Sequence, residues 1–130
     1  MIKYLTNKAE KQFYKDSIKS LFLKEYHKDL TDETWDFLNG FTNKSLMIVY
    51  LDGNDVVGMA NLIHNYHLLN KSSFEYFIFT TSIVAKEFRS RGVYTLIMLE
   101  MRKYLDNSNC EFVMAYPNDL ALPIITNPFY

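Results

Sequence analysis

The most informative stretch of the chain is residues 84–97, which read Val84-Ala85-Lys86-Glu87-Phe88-Arg89-Ser90-Arg91-Gly92-Val93-Tyr94-Thr95-Leu96-Ile97. An apolar run that favours β structure leads into a short basic turn, and an amphipathic helix begins just after Gly92. Two of the three arginines in the chain, Arg89 and Arg91, bracket this turn. Free N–H groups at a helix start, a flanking glycine and two guanidinium groups together predict a site for a phosphate or pyrophosphate.

The composition is typical of one folded domain. The chain has 130 residues, of which 48% are hydrophobic, so we expect a single domain over residues 1–130 with a substantial core. Its net charge of −1 argues against broad electrostatic binding to nucleic acid or an anionic membrane. One cysteine excludes an internal disulfide, and three scattered histidines argue against a metal site of the zinc type. No apolar run approaches the roughly 20 residues of a membrane helix, and the first residues lack a signal-peptide core, so we expect a cytoplasmic protein.

The hydrophobic periodicity predicts a mixed order of strands and helices. A short strand over Ile2–Leu5 precedes one helix over about residues 8–27, and Thr31 caps a second helix that Gly40 ends. The remaining predicted elements are strands over 46–51, 56–66 and 74–84, a helix over 92–105, a strand over 111–116 and a final helix from about 117. The acidic-glycine turn at 52–55 joins the first two of these strands as a hairpin, and a second turn is predicted at 70–73. The order is therefore β-α-α-β-β-β-α-β-α.

This order, with its basic loop, resembles the GNAT superfamily of N-acetyltransferases, which move an acetyl group from acetyl-CoA to an amine. In that superfamily the loop carries Arg or Gln, two free positions, Gly, one free position, and then Gly or Ala. Arg89 and Gly92 match the first and fourth positions, and Tyr94 stands where the small residue is expected. The run over 114–123 also resembles a branch that follows its fifth strand with a Pro-Asn step. The resemblance implies an α+β fold of three layers: a GNAT-like central mixed, mostly antiparallel sheet flanked by helices, with a shortened C-terminal closure.

The resemblance also implies how acetyl-CoA is held. In the superfamily, backbone amides of the loop hold the CoA pyrophosphate, and the preceding strand holds the pantetheine arm through main-chain groups. A backbone N–H of that strand polarises the thioester carbonyl, so the amine attacks directly and no enzyme nucleophile is needed. Carried onto this sequence, the cofactor-binding residues are Ser82, Ile83, Val84, Arg89, Ser90, Arg91, Gly92, Val93, Tyr94 and Asn118.

The acid that protonates the departing thiolate is not fixed by the pattern. Many members of the superfamily carry a tyrosine seven positions after the Asn of the Pro-Asn step, and here that position is Ile125. Tyr116 and Tyr130 lie nearby in sequence but off the pattern. Of these two tyrosines, Tyr116 is the candidate for the acid that protonates the thiolate.

The general base also remains open between several residues. Glu75 lies early in the long strand over 74–84, and His64 and His67 lie on the strand before it. An imidazole suits this task because its ordinary pKa lies close to neutral pH. We take Glu75 and His64 as the candidates, with His67 and a water relay as alternatives.

Two classes of function follow. The first is an acetyl-CoA-dependent N-acetyltransferase that acts by direct attack of a primary amine on a small molecule or a protein, and the intact Arg89 and Gly92 favour it. The second is a catalytically impaired module of the same fold that binds CoA or a partner protein, which Tyr94, Ile125 and the short C-terminus favour. The strand over 111–116 is expected to present a bare edge, and a homodimer through that edge is predicted.

Overall fold

A computed structural model describes residues 1–40 and 42–115 of the chain. The described strands form one sheet in the order β1-β2-β3-β4-β5, in which the first four are antiparallel neighbours and β5 runs parallel to β4. This arrangement confirms the mixed, mostly antiparallel sheet. The strands are β1 Ile2–Leu5, β2 Leu46–Asp52, β3 Asp55–Leu69, β4 Ser72–Val84 and β5 Phe112–Ala115.

The described helices lie on both faces of this sheet. They are α1 Lys8–Phe13, α2 Lys15–Tyr26, α3 Asp32–Asn39 and α4 Val93–Asp106, with a short 3-10 turn over Lys86–Phe88. One layer of the core lies between the sheet and α1–α3, and a second lies between the sheet and α4. The three-layer architecture is therefore confirmed. Among the described residues, no helix has the length and apolar character needed to cross a membrane.

The single helix predicted over residues 8–27 is two helices. The chain departs from helical geometry at Tyr14, where φ is −96° and ψ is 3°. The prediction missed this break because the buried positions Lys11, Tyr14 and Ile18 keep a spacing of three and four residues across it. One residue with altered dihedrals leaves such a periodicity intact.

The hairpin between β3 and β4 is longer than its sequence predicted. Asn70 and Lys71 have φ values of 51° and 67°, so a turn of two left-handed residues replaces the predicted turn over 70–73. The strands consequently extend to Leu69 and begin again at Ser72.

Gly58 lets the start of α4 lie directly on the sheet. A Cβ atom at this position would lie 3.0 Å from Ile97 Cδ1 and 3.1 Å from Val93 Cγ1. Gly58 is paired with Val84, the last residue of β4. The glycine therefore helps to set the first turn of α4 beside the end of β4, where the candidate site lies.

Candidate cofactor site

The end of β4 carries a bulge and continues past its described parallel neighbour. Leu62 pairs with Phe79 and Asn61 pairs with Thr81, so Thr80 is an extra residue in β4. The described ladder between β4 and β5 stops at Phe79 and Ala115. Residues 80–84 therefore form a strand end whose outer edge lies beyond that ladder.

The side chain of Asn61 is hydrogen-bonded to the bulge. Its side chain is fully buried, and Nδ2 donates to Thr80 Oγ1 and to Leu38 O, each at 3.0 Å. Its Oδ1 has no hydrogen-bond partner among the described residues. Asn61 therefore links the end of α3 to the bulge, a role that no local sequence motif indicates.

The main-chain groups of Ser82 and Val84 point to the outer edge of β4. Hydrogen bonds alternate along an antiparallel strand, and the Ala85 N–H donates to Val57 O at 2.8 Å, so Ser82 and Val84 face the other way. The side chain of Ile83 is buried in the α1–α3 layer and that of Val84 in the α4 layer. Ser82, Ile83 and Val84 thus offer main-chain rather than side-chain groups to a ligand on this edge.

Two tyrosines lie at this edge. Tyr26 Oη donates to Ser82 O at 2.9 Å, and the hydroxyl of Tyr94 lies 3.1 Å from Ser82 Oγ. Burial raises the pKa of Tyr26, with a further contribution from Tyr94 and an opposing one from Arg89. Sequence reasoning missed Tyr26 because 56 residues separate it from Ser82.

The loop after β4 leads into α4 through two left-handed residues. Ser90 has φ of 64° and Gly92 has φ of 77°. A Cβ on Gly92 would meet nothing within 4 Å, so the glycine is required by its dihedral angle and not by lack of space. A left-handed residue such as Ser90 is uncommon outside glycine, and such strained conformations cluster at ligand-binding turns.

The start of α4 leaves its amide groups open. Gly92 is the N-cap and has no side chain to accept from them, and the first turn contains no acidic residue. None of the amides of residues 90–95 donates a hydrogen bond to an acceptor in the described part of the chain, and the first bond runs from Leu96 N to Gly92 O. Open amides and the positive end of the helix dipole together suit an anion. The open amides include those of Ser90, Gly92, Val93 and Tyr94, which the resemblance predicted to bind the cofactor.

The two arginines of the loop have different surroundings. Arg91 is exposed, and its guanidinium lies 5.2 Å from the centre of the Phe88 ring. Arg89 is engaged by the protein: Nε donates to Val84 O at 3.0 Å, and Nη2 donates to Glu25 Oε1 at 2.8 Å. Among the described residues, the guanidinium of Arg91 has no such hydrogen-bond partner, although the residue belongs to the same loop as the open amides.

Two of the predicted catalytic residues lie together. His64 Nε2 is 3.4 Å from Glu75 Oε1, and His64 Nδ1 is 2.7 Å from Thr42 Oγ1. Lys44 Nζ donates to Glu75 Oε1 at 2.7 Å. This bond is the main cause that lowers the pKa of Glu75, and His64 contributes less. The pair lies on the α4 face of the sheet.

His67 lies on the opposite face, because side chains alternate along a strand. Its Nε2 is 2.8 Å from Tyr76 Oη, which accepts a hydrogen bond of 3.1 Å from Asn65 Nδ2. The structure therefore separates His67 from the His64 and Glu75 pair. The other predicted site residues, Tyr116 and Asn118, lie outside the described residues, as do Ile125 and Tyr130.

A mixed, mostly antiparallel sheet whose long strand β4 leads through a basic loop into a helix is the fold that the sequence resemblance implied. The chain belongs to the acetyltransferase (GNAT) family, whose model matches residues 7–124. It is therefore an acyltransferase, and acetyl transfer is the general reaction of its family. A comparison with curated protein sequences finds no match.

Solved structures of similar proteins show the same fold. An aminoglycoside acetyltransferase from an uncultured soil metagenomic sample has a TM-score of 0.69 at 15% identity, covering 100% of this chain and 88% of its own. The aminoglycoside N-acetyltransferase AAC(6')-Iy, in complex with CoA, has a TM-score of 0.60 at 14% identity, covering 95% and 89%. Glucosamine-6-phosphate N-acetyltransferase from Arabidopsis thaliana has a TM-score of 0.64 at 11% identity, covering 93% and 85%.

Proposed function

We propose that the protein is an acetyl-CoA-dependent N-acetyltransferase that acts on a primary amine of a small molecule or a protein. The uncapped start of α4, at the end of the bulged β4, carries this proposal. The amides of residues 90–95 suit a pyrophosphate, and exposed Arg91 adds positive charge beside them. The family of the chain, and the fold that it shares with an aminoglycoside N-acetyltransferase solved in complex with CoA, support the CoA pyrophosphate as the anion.

The outer edge of β4 suits the pantetheine arm. The carbonyl groups of Ser82 and Val84 already accept hydrogen bonds from Tyr26 and Arg89, so their N–H groups are the outward donors that remain for amide carbonyls of the arm. A main-chain N–H at or after Thr80 polarises the thioester carbonyl that acetyl-CoA supplies. Asn118 and Tyr116 keep the roles that the resemblance gives them, Asn118 as a cofactor residue and Tyr116 as the acid.

Glu75 and His64 together serve as the proton acceptor. His64 Nε2 is buried and has no hydrogen-bond partner among the described residues, although the Glu75 carboxylate lies nearby. His64 lies opposite Phe77, three residues before Thr80, which is about 10 Å along the strand. That separation requires a water relay between the amine and the imidazole.

A second candidate function is a CoA-binding or protein-interaction module of the same fold that does not catalyse transfer. The hydrogen bond that Tyr26 donates to Ser82 O and the one between the hydroxyls of Tyr94 and Ser82 favour this alternative, because both tyrosine hydroxyls lie at the edge that the arm would follow. Release of free thiol from acetyl-CoA, measured against a panel of primary amines, separates the two. Thiol release that depends on an amine supports the enzyme, and binding without thiol release supports the module.

Calorimetry tests the cofactor proposal directly. The wild-type protein should bind acetyl-CoA, and the variant Arg91→Glu with Gly92→Val should not. Gly53→Val is the matched control because Gly53 has φ of 62° and a Cβ there would also meet nothing within 4 Å. Absence of both heat and a thermal shift with wild-type protein would contradict the proposal.

We further propose that the chain forms a single domain over residues 1–130, acts in the cytoplasm and self-associates through the edge of β5. A lone cysteine fits a reducing compartment, and the net charge of −1 fits a protein that binds neither nucleic acid nor a membrane.

The proposed self-association uses β5. Phe112 and Val113 of this strand are 43% and 39% exposed, which suits pairing with a second copy. Sedimentation that shows a strict monomer at high concentration would exclude this self-association.

A further inference from the structure

The last turn of α2 holds the end of β4 and the loop that follows it. Three consecutive residues of α2, which we call the α2 clasp, reach different parts of this region: Lys24 pairs with Glu87, Glu25 with Arg89, and Tyr26 with Ser82 O. Successive residues of a helix point about 100° apart, so three such contacts require the helix end to fit into a concave surface. The helix stops just afterwards at His27, which is left-handed.

Glu25 and Arg89 form the most enclosed contact of the clasp. The side chain of Glu25 is only 6% exposed, and that of Arg89 is 55% exposed. A carboxylate so far removed from water needs a partner, because an unpaired buried charge is costly. Through Nε, the same guanidinium bonds Val84 O. Arg89 therefore joins the last turn of α2 to the last residue of β4.

These contacts leave Arg89 poorly suited to bind a phosphate itself. Its charge is balanced by Glu25, and its own amide donates to Lys86 O at 3.2 Å. It lies immediately before Ser90, where the left-handed turn begins. Arg89 is thus placed to fix the direction in which the turn leaves β4.

We propose that Glu25 and Arg89 are positioning residues for the cofactor loop. They hold the turn at Ser90 and Gly92 in the shape that directs the open amides of α4 toward the pyrophosphate, while Arg91 supplies the charge. The inference rests on the proposed function for the nature of the ligand. It assigns to α2, which is distant in sequence, a part in cofactor binding.

The variant Glu25→Gln separates positioning from direct binding by the sign of its effect. If Arg89 contacted the pyrophosphate, loss of a nearby negative charge would leave CoA binding unchanged or strengthen it. Positioning predicts the opposite, a loss of about tenfold in CoA affinity by calorimetry. Asp29→Asn is the matched control, because Asp29 is likewise a carboxylate paired with a cation, Lys19 of α2 at 3.5 Å, but its side chain is 64% exposed.

Exchanging the two charges gives a second measurement. Arg89→Glu alone should lose CoA binding, and Arg89→Glu combined with Glu25→Arg should recover most of it, because the pair is restored in reverse. If the double variant binds as weakly as Arg89→Glu alone while its thermal unfolding matches the wild type, Arg89 is a direct ligand and the proposal is overturned.

Hydrogen exchange tests the same idea without a ligand. The Arg89 and Leu96 amides donate to Lys86 O and Gly92 O, and these two bonds define the loop and the first turn of α4. Glu25→Gln should speed exchange at both amides, and Asp29→Asn should not. Unchanged exchange in Glu25→Gln overturns the positioning role. If the two variants show this exchange pattern but the wild-type protein binds no CoA, only the proposed function is contradicted.

Discussion

Gly92 and Gly53 have the same kind of backbone conformation in very different places. Their φ values are 77° and 62°, and a Cβ at either would meet nothing within 4 Å. Gly53 lies in the turn between β2 and β3, whereas Gly92 immediately precedes α4 at the candidate cofactor site. The two glycines therefore allow the dihedral requirement to be separated from a role in binding.

Replacing each of these glycines by alanine should cost about 1 kcal/mol of unfolding free energy, because only the left-handed conformation is penalised. Urea denaturation measures this cost, and it should be similar for the two variants. CoA affinity should fall by about tenfold in Gly92→Ala alone, because relief of the strain rotates the neighbouring amides. Equal CoA affinities in the two variants would show that the turn at Gly92 does not aim these groups.

Lys44 should set the acidic limit of activity if Glu75 is part of the proton acceptor. Its hydrogen bond lowers the pKa of Glu75, so the carboxylate remains ionised as the pH falls to this lowered value. Lys44→Met should raise that pKa, and the acid limb of kcat/KM should then move to higher pH. Lys103→Met, which removes an exposed lysine from α4, is the control. An unmoved acid limb in Lys44→Met would exclude Glu75 as the base.

At the scale of single residues, the sequence predicted local chemistry and missed distant partners. The pattern Arg89-x-x-Gly92 predicted a loop between the strand and the helix, and Gly92 lies there in a left-handed conformation just before α4. It did not reveal that Glu25, 64 residues away, is paired with Arg89. Spacing rules describe neighbours along a helix or strand, whereas this pair arises only when α2 packs beside the end of β4.

Among the elements, α4 packs on the sheet through a layer of the core, and two of its contacts with the sheet differ in kind. Its first turn packs on Gly58 of β3, and farther along Glu100 accepts a hydrogen bond from the hydroxyl of Tyr4 in β1. The first contact is possible because Gly58 has no side chain, and the second is a hydrogen bond that Tyr4 donates only while its hydroxyl is protonated. Each can therefore be altered separately.

Gly58→Ala should push the first turn of α4 away from β3, because the new methyl would lie 3.0 Å from Ile97 Cδ1. We expect a loss of roughly 1–3 kcal/mol of unfolding free energy, as for other overpacked cores. Ile97→Val removes the obstructing atom, so it should be less harmful in the Gly58→Ala background than alone. Additive changes in unfolding free energy in a double-mutant cycle of these variants would show that the side chains of residues 58 and 97 do not contact each other.

Tyr4 should make stability sensitive to alkaline pH. Burial, together with Glu100, raises its pKa from 10.0 to about 12. A raised pKa in the folded state gives a contribution that is fully present below pH 10 and is lost as the pH rises through about 12. Unfolding midpoints in urea should therefore fall more steeply over this range for wild type than for Tyr4→Phe. Parallel curves of unfolding midpoint against pH for the two proteins would contradict the assignment of this pH dependence to Tyr4.

The elements themselves were predicted well where their signals are local. The cap at Thr31 and the end of α3 at Gly40 follow from residue type. The bulge at Thr80 was not predicted, since it depends on the register between β3 and β4. A register of this kind is set by packing on both faces of the sheet and leaves no mark in the periodicity of one strand.

For the whole molecule, the order of elements and the basic loop together carried the family resemblance that predicted the fold. The family model over residues 7–124 and the structural similarity to aminoglycoside acetyltransferases confirm it. The acceptor side of the site could not be predicted in the same way, because recognition of a substrate depends on side chains from separate loops. The central claim is accordingly the one about the cofactor: CoA binds at the start of α4, along the outer edge of β4.

Backbone amide chemical shifts, recorded while CoA is added to the isotopically labelled protein, test this claim most directly. The largest changes should fall on the amides of residues 90–95, which have no acceptor in the described part of the chain, and on Ser82 and Val84. Gly53, in a matching left-handed turn away from the site, should not move. Saturable shifts confined to other residues, or no shifts at all, would contradict the account.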